Sequence, residues 1–321
     1  MAYFDVFNGD ADGICSLHQL RLSDPRPATL VTGPKRDIAL LQRTPAGAGD
    51  SVTVLDISID VNREALLALL ARGARVDYFD HHGSGKTPPH PLLHACIEPA
   101  PGICTALLVD RFLQGAHRDW AIVGAFGDNM AAPARRLAAL LGLDASRLAA
   151  LQTLGTCINY NAYGNSVDDL YIHPAQLYLK VQRYVDPFAF MAQEPLFAHL
   201  RTLQDEDLAR ARRLAPHARW RSGSVFILPD AAWSRRVRGV FGNELATGER
   251  TRAHAVLTPD AQDGFVVSVR APLARPVGAD RLCNAFPSGG GRPAAAGINH
   301  LPAGELDNFV HAFDAAFMAD C

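Results

Sequence analysis

Four times between Met1 and Asn129 an apolar run leads directly into acidic or imidazole side chains, and this repetition constrains the fold more than any other feature. Tyr3-Phe4-Asp5-Val6-Phe7 reads as a strand leading into the loop Asn8-Gly9-Asp10-Ala11-Asp12-Gly13, after which Ile14 to Leu22 has helical spacing. Ser51-Val52-Thr53-Val54-Leu55, rich in β-branched residues, ends in Asp56 and precedes a helix from about Asn62 to Arg72. Ala74-Arg75-Val76-Asp77-Tyr78-Phe79 ends in Asp80-His81-His82, and the apolar helical stretch Trp120 to Phe126 stops at Gly127-Asp128-Asn129. Strands alternating with helices predict an α/β fold with a doubly wound, mostly parallel sheet, whose strand ends open on one crevice. One Asp at such a point is most simply a helix cap or turn former. Four segments releasing Asp or His in the same way point to a shared site.

The donor set indicates a metal. Hard carboxylate oxygens with imidazole nitrogen, and no thiolate, suit Mn²⁺, Mg²⁺, Co²⁺ or Fe²⁺ better than a structural zinc. Several carboxylates can also hold two cations about 3.5–4 Å apart, the arrangement used for in-line displacement at phosphorus.

In order and spacing these segments resemble the motifs of the DHH phosphoesterase superfamily: Asn8-Gly9-Asp10-Ala11-Asp12-Gly13 the first, Asp56 the second, Asp80-His81-His82 the third, and Gly127-Asp128-Asn129 the fourth. Ser288-Gly289-Gly290-Gly291-Arg292-Pro293-Ala294-Ala295-Ala296-Gly297 is similar to the glycine-rich signature of the DHH-associated C-terminal domain. The resemblance spans most of the chain and is specific for the superfamily rather than for a substrate. Members include RecJ-type single-strand exonucleases, oligoribonucleases, cyclic-dinucleotide phosphodiesterases, exopolyphosphatases and family II pyrophosphatases.

The resemblance implies two divalent cations, Mn²⁺ foremost. Asp10 and Asp56 would hold one, with Asn8 as a neutral and weaker ligand where many relatives carry Asp or His. Asp12, Asp56, His81 and Asp128 would hold the other, so Asp56 bridges. His82 would face the scissile phosphate as transition-state stabiliser or proton donor, and Asp80 would orient the histidines.

Candidate substrate contacts lie further along. Consecutive Gly289, Gly290 and Gly291 can form an anion nest of backbone amides, and Arg292, where many relatives have His, can grip phosphate bidentately. Arg235 and Arg238, in Ser234-Arg235-Arg236-Val237-Arg238, suit a short polyanion, although an exposed helix face has the same pattern. Asn161, within Asn159-Tyr160-Asn161-Ala162-Tyr163-Gly164-Asn165, could touch a nucleobase or belong to an ordinary loop.

With 321 residues, 48% of them hydrophobic, the chain has material for two cores. The expected division is a catalytic domain over 1–190, a connecting helix over 191–216 and a smaller α/β substrate-binding domain over 217–321, with substrate in the cleft. A net charge of −2, from 31 basic against 33 acidic residues, argues against coating long duplex nucleic acid. No apolar run is long enough to span a bilayer, and Cys15, Cys96, Cys104, Cys157, Cys283 and Cys321 show no Cys-x-x-Cys spacing, which predicts free thiols in a cytoplasmic protein. The expected activity is metal-dependent hydrolysis of small phosphoesters, nucleotides or very short oligonucleotides. Pyrophosphatase or exopolyphosphatase activity, or a catalytically weak phosphate or nucleotide sensor, are the alternatives, and a homodimer is compatible with the sequence.

Overall fold

The computed structural model describes residues 1–83 and 85–318. Cys321 lies outside them, and the other five cysteines are free thiols. The chain divides into two compact units, Met1–Thr202 and Leu203–Cys321.

The first unit is built on five strands, β1 (Tyr3–Phe7), β2 (Thr29–Val31), β3 (Ser51–Leu55), β4 (Arg75–Asp80) and β5 (Leu93–Ile97). They form an all-parallel sheet in the order β2-β1-β3-β4-β5. Parallel neighbours need crossover connections, and these include α1 (Ala11–Ser23) after β1 and α2 (Ile59–Ala71) after β3. Alternate side chains serve opposite faces. Phe4, Val6, Val52, Val54, Val76 and Tyr78 pack with Leu66, Leu69 and Leu70 of α2, whereas Phe7, Leu55 and Phe79 join the larger cluster under the remaining helices. Burial on both faces explains why these strands read as nearly continuous apolar runs. Helix α2 begins at Ile59, earlier than the expected Asn62, which is a buried residue whose amide accepts from Leu41 N and donates to Ile38 O.

Helices α3 (Thr105–Phe112), α4 (Arg118–Gly127), α5 (Ala131–Leu140), α6 (Ala145–Ala162), α7 (Pro174–Val181) and α8 (Pro187–Gln193) follow the sheet. Helices α4 and α6 approach through glycine: a Cβ on Gly155 would lie 2.3 Å from Val123 O and 2.9 Å from Gly127 N. That close approach fixes the end of α4, from which Asp128 emerges. Helix α9 (Pro195–Arg212) occupies the stretch expected to connect the two units, and the division falls within it.

The second unit contains β6 (Ala218–Arg219), β7 (Gly223–Ile227), α10 (Ala232–Gly248), β8 (Ala253–Pro259), β9 (Gly264–Arg270), α11 (Ala279–Asn284), β10 (Gly289–Arg292), β11 (Ala295–Pro302) and α12 (Leu306–Met318). Its sheet runs β10-β11-β9-β8-β7-β6, with only β7 and β8 parallel among these pairs. Val225, Leu257, Val267, Val269 and Ile298 pack against Phe309, Phe313 and Phe317 of α12. The glycine run departs from expectation. It is an antiparallel edge strand rather than an anion nest, with Gly290 opposite Gly297 and Arg292 opposite Ala295. Successive amides in a regular strand point to opposite sides, unlike those of a nest, and Gly291, at φ of 142°, departs from that regular geometry.

Candidate metal centre

Register aligns the site before any side chain is considered. Phe7 pairs with Leu55 and Leu55 with Phe79, so the chain leaves β1, β3 and β4 at one level. The sheet order reverses beside β1, which places the exits of β1 and β3 at the topological switch point of the sheet.

Asp10 is the N-cap of α1, and its Oδ1 accepts from Gly13 N at 3.0 Å. The capping role weighed for an isolated Asp is therefore real here for one of its two oxygens. Asp12, expected in the loop, lies in the first turn of α1. Its carboxylate accepts from Thr105 N at 2.8 Å and Ala106 N at 2.7 Å, so it serves the N-terminus of α3, where Cys104 provides no side-chain cap. Asp56 follows β3 with φ of 61°, a left-handed conformation that Asp tolerates better than most residues. The Asp56 N–H donates to Phe79 O at 3.0 Å, and Thr105 Oγ1 donates to Asp56 Oδ1 at 3.2 Å. Asp128 is the C-cap of α4. Asn129 follows at φ of 59°, and the bonds Asn129 N to Phe126 O and Met130 N to Ala125 O complete a Schellman turn.

His81 gathers these groups. Its Nδ1 lies 2.9 Å from Ile103 O, a partner that can only accept, so Nδ1 donates and Nε2 faces the carboxylates as the second ring nitrogen. Nε2 is 3.4 Å from Asp56 Oδ1, 3.7 Å from Asp128 Oδ2 and 3.8 Å from Asp12 Oδ2. An unprotonated Nε2 and three carboxylate oxygens repel unless a proton or cation lies among them. One ligand atom each from Asp12, His81 and Asp128 lie within 4.8 Å of one another, as do those from Asp56, His81 and His82. The backbone carbonyl on Nδ1 is the partner that orients a metal-ligating imidazole. Donor type, convergence and tautomer all fit a divalent cation.

Electrostatics agree. Burial first, then the charges of Asp12, Asp10 and Asp128, push the Asp56 carboxyl well above its usual range. Burial and Asp128 raise Asp12 despite the opposing influence of His81. Asp10 goes the other way: burial opposes its ionisation, but the charge and hydrogen bond of Lys35, together with hydrogen bonds to Gly13 and Asp56, lower its pKa. Lys35 Nζ pairs with Asp10 Oδ2 and lies 3.4 Å from Asp128 Oδ1. His82 turns outward, its side chain 44% exposed, with Nδ1 2.6 Å from Asp80 Oδ1. Burial pulls the His82 imidazole down, but the hydrogen bond and charge of Asp80 more than offset it, so its pKa is raised.

Asp10, Asp12, Asp56, Asp80, His81, His82 and Asp128 thus meet at one place. Asn8 is hydrogen-bonded at both ends of its amide: Oδ1 accepts from Asp10 N at 3.2 Å and Nδ2 donates to Lys35 O at 3.3 Å. Asn161 is fully buried and holds the following loop, with Nδ2 donating to Ile172 O and Oδ1 accepting from Ile172 N, so it is not an exposed base contact. The basic cluster is also not a solvated face. Arg235 pairs with Asp230, Arg236 with buried Asp207, and buried Arg238 donates to Thr258 Oγ1. Arg292 is exposed on β10.

Sequence reasoning missed Lys35, Thr105 and, as a positioning residue, Asn159. Asn159 Oδ1 accepts from Ala11 N at 2.8 Å and its Nδ2 donates to Gly127 O, tying the start of α1 to the end of α4. For Lys35 a signal existed: Gly33-Pro34-Lys35 follows β2 just as the acidic groups follow their strands.

A RecJ exonuclease bound to manganese superposes with a TM-score of 0.57 at 19% identity, over 100% of this chain and 92% of that one. A DHH domain described as a member of the s1p family of ribosomal proteins gives 0.61 at 13% identity, over 98% and 86%. The chain has the DHH fold. A pGpG-specific phosphodiesterase from Vibrio shares that fold too, with a TM-score of 0.56 at 14% identity over the full length of both chains. No family model and no curated protein matches the sequence. Within the DHH fold, the Asp and His side chains described above lie at the carboxyl ends of the first sheet, where open α/β sheets place their ligands. Among the described residues no helix is long and apolar enough to cross a membrane.

Proposed function

We propose that this protein is a metal-dependent phosphoesterase that hydrolyses small phosphoesters, nucleotides or short oligonucleotides. The observation that carries this reading is the convergence of His81 Nε2 with Asp12, Asp56 and Asp128 at the strand exits. These four residues would hold a divalent cation, Mn²⁺ being the leading candidate. When bound, such an ion supplies Lewis-acid charge neutralisation at phosphorus and a nucleophilic water at neutral pH.

The chain's own groups do the rest. Ile103 O holds His81 in the tautomer that leaves Nε2 free to ligate. Asp80 accepts from His82 Nδ1 and raises the His82 pKa, so the imidazolium form, whose second proton sits on Nε2 of a half-exposed ring, would be the donor to a leaving alkoxide. The N-terminus of α3, with Thr105 Oγ1 on Asp56, keeps the acidic cluster ordered. Arg292, exposed beside the glycine strand, is proposed to bind a substrate phosphate through its planar fork.

The relatives' own descriptions favour nucleotide substrates, an exonuclease and a pGpG phosphodiesterase among them. The test is a hydrolysis panel with Mn²⁺ over nucleotide monoesters, dinucleotides, cyclic dinucleotides, long single strands, pyrophosphate and polyphosphate. Preferential turnover of mononucleotides or dinucleotides is expected. Turnover of pyrophosphate alone, or long strands degraded as fast as dinucleotides, refutes the substrate class, and no turnover of any member refutes the enzyme.

A further inference from the structure

The acidic cluster has two ends that differ in kind. At the His81 end, the oxygens of Asp12, Asp56 and Asp128 face a ring nitrogen. At the Asp10 end a cation is built in: Lys35 Nζ is bonded to the Asp10 oxygen not used for capping and reaches Asp128. Asp10 touches the Asp56 carboxylate but joins none of the groups of three or more side chains close enough to share a metal, among the described residues.

Lys35 is not a surface side chain that happened to fold inward. Its N–H donates to Ala162 O at 2.9 Å, at the C-terminal end of α6, and its C=O accepts from Asn8 Nδ2. Its side chain is 28% exposed, and its ammonium lies 6.0 Å from the centre of the Tyr163 ring. The backbone is pinned on both sides, which aims the side chain at Asp10. Asn8 has a part in that pinning, and its neutral amide is hydrogen-bonded at both ends. A second divalent ion at Asp10 would therefore have to displace an ammonium from its carboxylate while gaining no charge from Asn8. Like charges at contact distance are strongly unfavourable in a partly buried site.

We propose that the Lys35 ammonium takes the place of one of the two expected ions, so that the centre holds a single divalent cation, on Asp12, Asp56, His81 and Asp128, beside a built-in lysine charge positioned by Asn8. This rests on the metal-centre reading above and narrows it. Asn8 and Lys35 then form one unit: Asn8 positions the cation instead of ligating one.

The experiment is Mn²⁺ stoichiometry of the purified full chain, by calorimetric titration and by electron paramagnetic resonance of the loaded protein. One equivalent per chain with the six-line spectrum of an isolated ion is expected. Lys35→Arg should keep that stoichiometry. Lys35→Met combined with Asn8→Asp should admit a second equivalent and exchange-coupled lines. Two equivalents in the wild-type chain overturn the inference but leave the metal centre standing, and a double variant that still stops at one equivalent overturns it as well. If the wild-type chain binds no Mn²⁺, the metal-centre reading fails and this inference fails with it. The wild-type measurement decides the matter even if the double variant does not fold.

Discussion

His18 lies on α1, the helix that carries Asp12 and is capped by Asp10, and it makes the stability of that helix depend on acid. The imidazole is 1% exposed, its Nε2 lies 2.8 Å from Tyr184 O, and its ring packs edge-on against Trp120 with centroids 4.6 Å apart. Tyr184 O can only accept, so Nε2 donates and neutral Nδ1 is the buried atom without a hydrogen-bond partner. A second proton would have to sit there unsolvated. Burial, partly offset by Tyr184, lowers the His18 pKa from 6.5 to about 4. The folded value is depressed, so the contribution is fully present above the unfolded pKa and is lost as pH falls towards about 4. Linkage across that gap removes ~2 kcal/mol between about pH 7 and pH 5, and ~3 kcal/mol by about pH 4. His18→Gln keeps a donor for Tyr184 O but cannot titrate. In a Trp220→Phe, Trp233→Phe background, where Trp120 emission reports the first unit, urea unfolding should show the parent losing ~2 kcal/mol more than His18→Gln over that interval. Parallel pH dependences for the two proteins would refute the reasoning, whatever the absolute stability of the variant.

The two adjacent histidines should separate by readout. His81→Ala should weaken Mn²⁺ binding by more than the ~10–100-fold typical of losing an outer partner, whereas His82→Ala should keep metal and lower kcat by roughly 10²–10⁴-fold; equal metal loss in both, measured by calorimetry, argues against the proton-donor role. Asp56→Asn should abolish metal binding and raise the unfolding midpoint of the metal-free protein at neutral pH, because it removes a carboxylate whose ionisation burial and its acidic neighbours oppose while Asn also accepts a positive φ; near-normal Mn²⁺ affinity in Asp56→Asn removes Asp56 from the centre. Arg292→Ala should lower kcat/KM for an anionic substrate by about tenfold or more with metal stoichiometry unchanged, and Arg292→Lys should recover only part; unaltered kinetics in both variants would remove Arg292 from substrate binding.

What could be read from the sequence was the position of groups relative to the ends of elements. Phe7, Leu55 and Phe79 close well-marked apolar runs, so the exits that follow them were legible, and parallel register then brings those exits level. What could not be read was where a side chain turns after leaving the strand, because that depends on partners supplied by chain closure. The direction of Asn8 is set by the Lys35 carbonyl, and β2, which delivers that carbonyl, is a three-residue strand too short to show a period. Arg236 and Arg238 look like a solvated helix face until Asp207 and Thr258 are brought against them. Gly289, Gly290 and Gly291 carry no side-chain pattern at all, and only pairing with β11 makes them a strand. The same distinction separates the two ends of the site. Every participant at the His81 end is an acid or imidazole whose chemistry is intrinsic to its type, while the Asp10 end turns on an amide and an ammonium that acquire their roles only by meeting each other. On the proposal above, a neutral residue at a ligand position is to be read together with the cation its amide holds, here Lys35 on the adjacent strand exit.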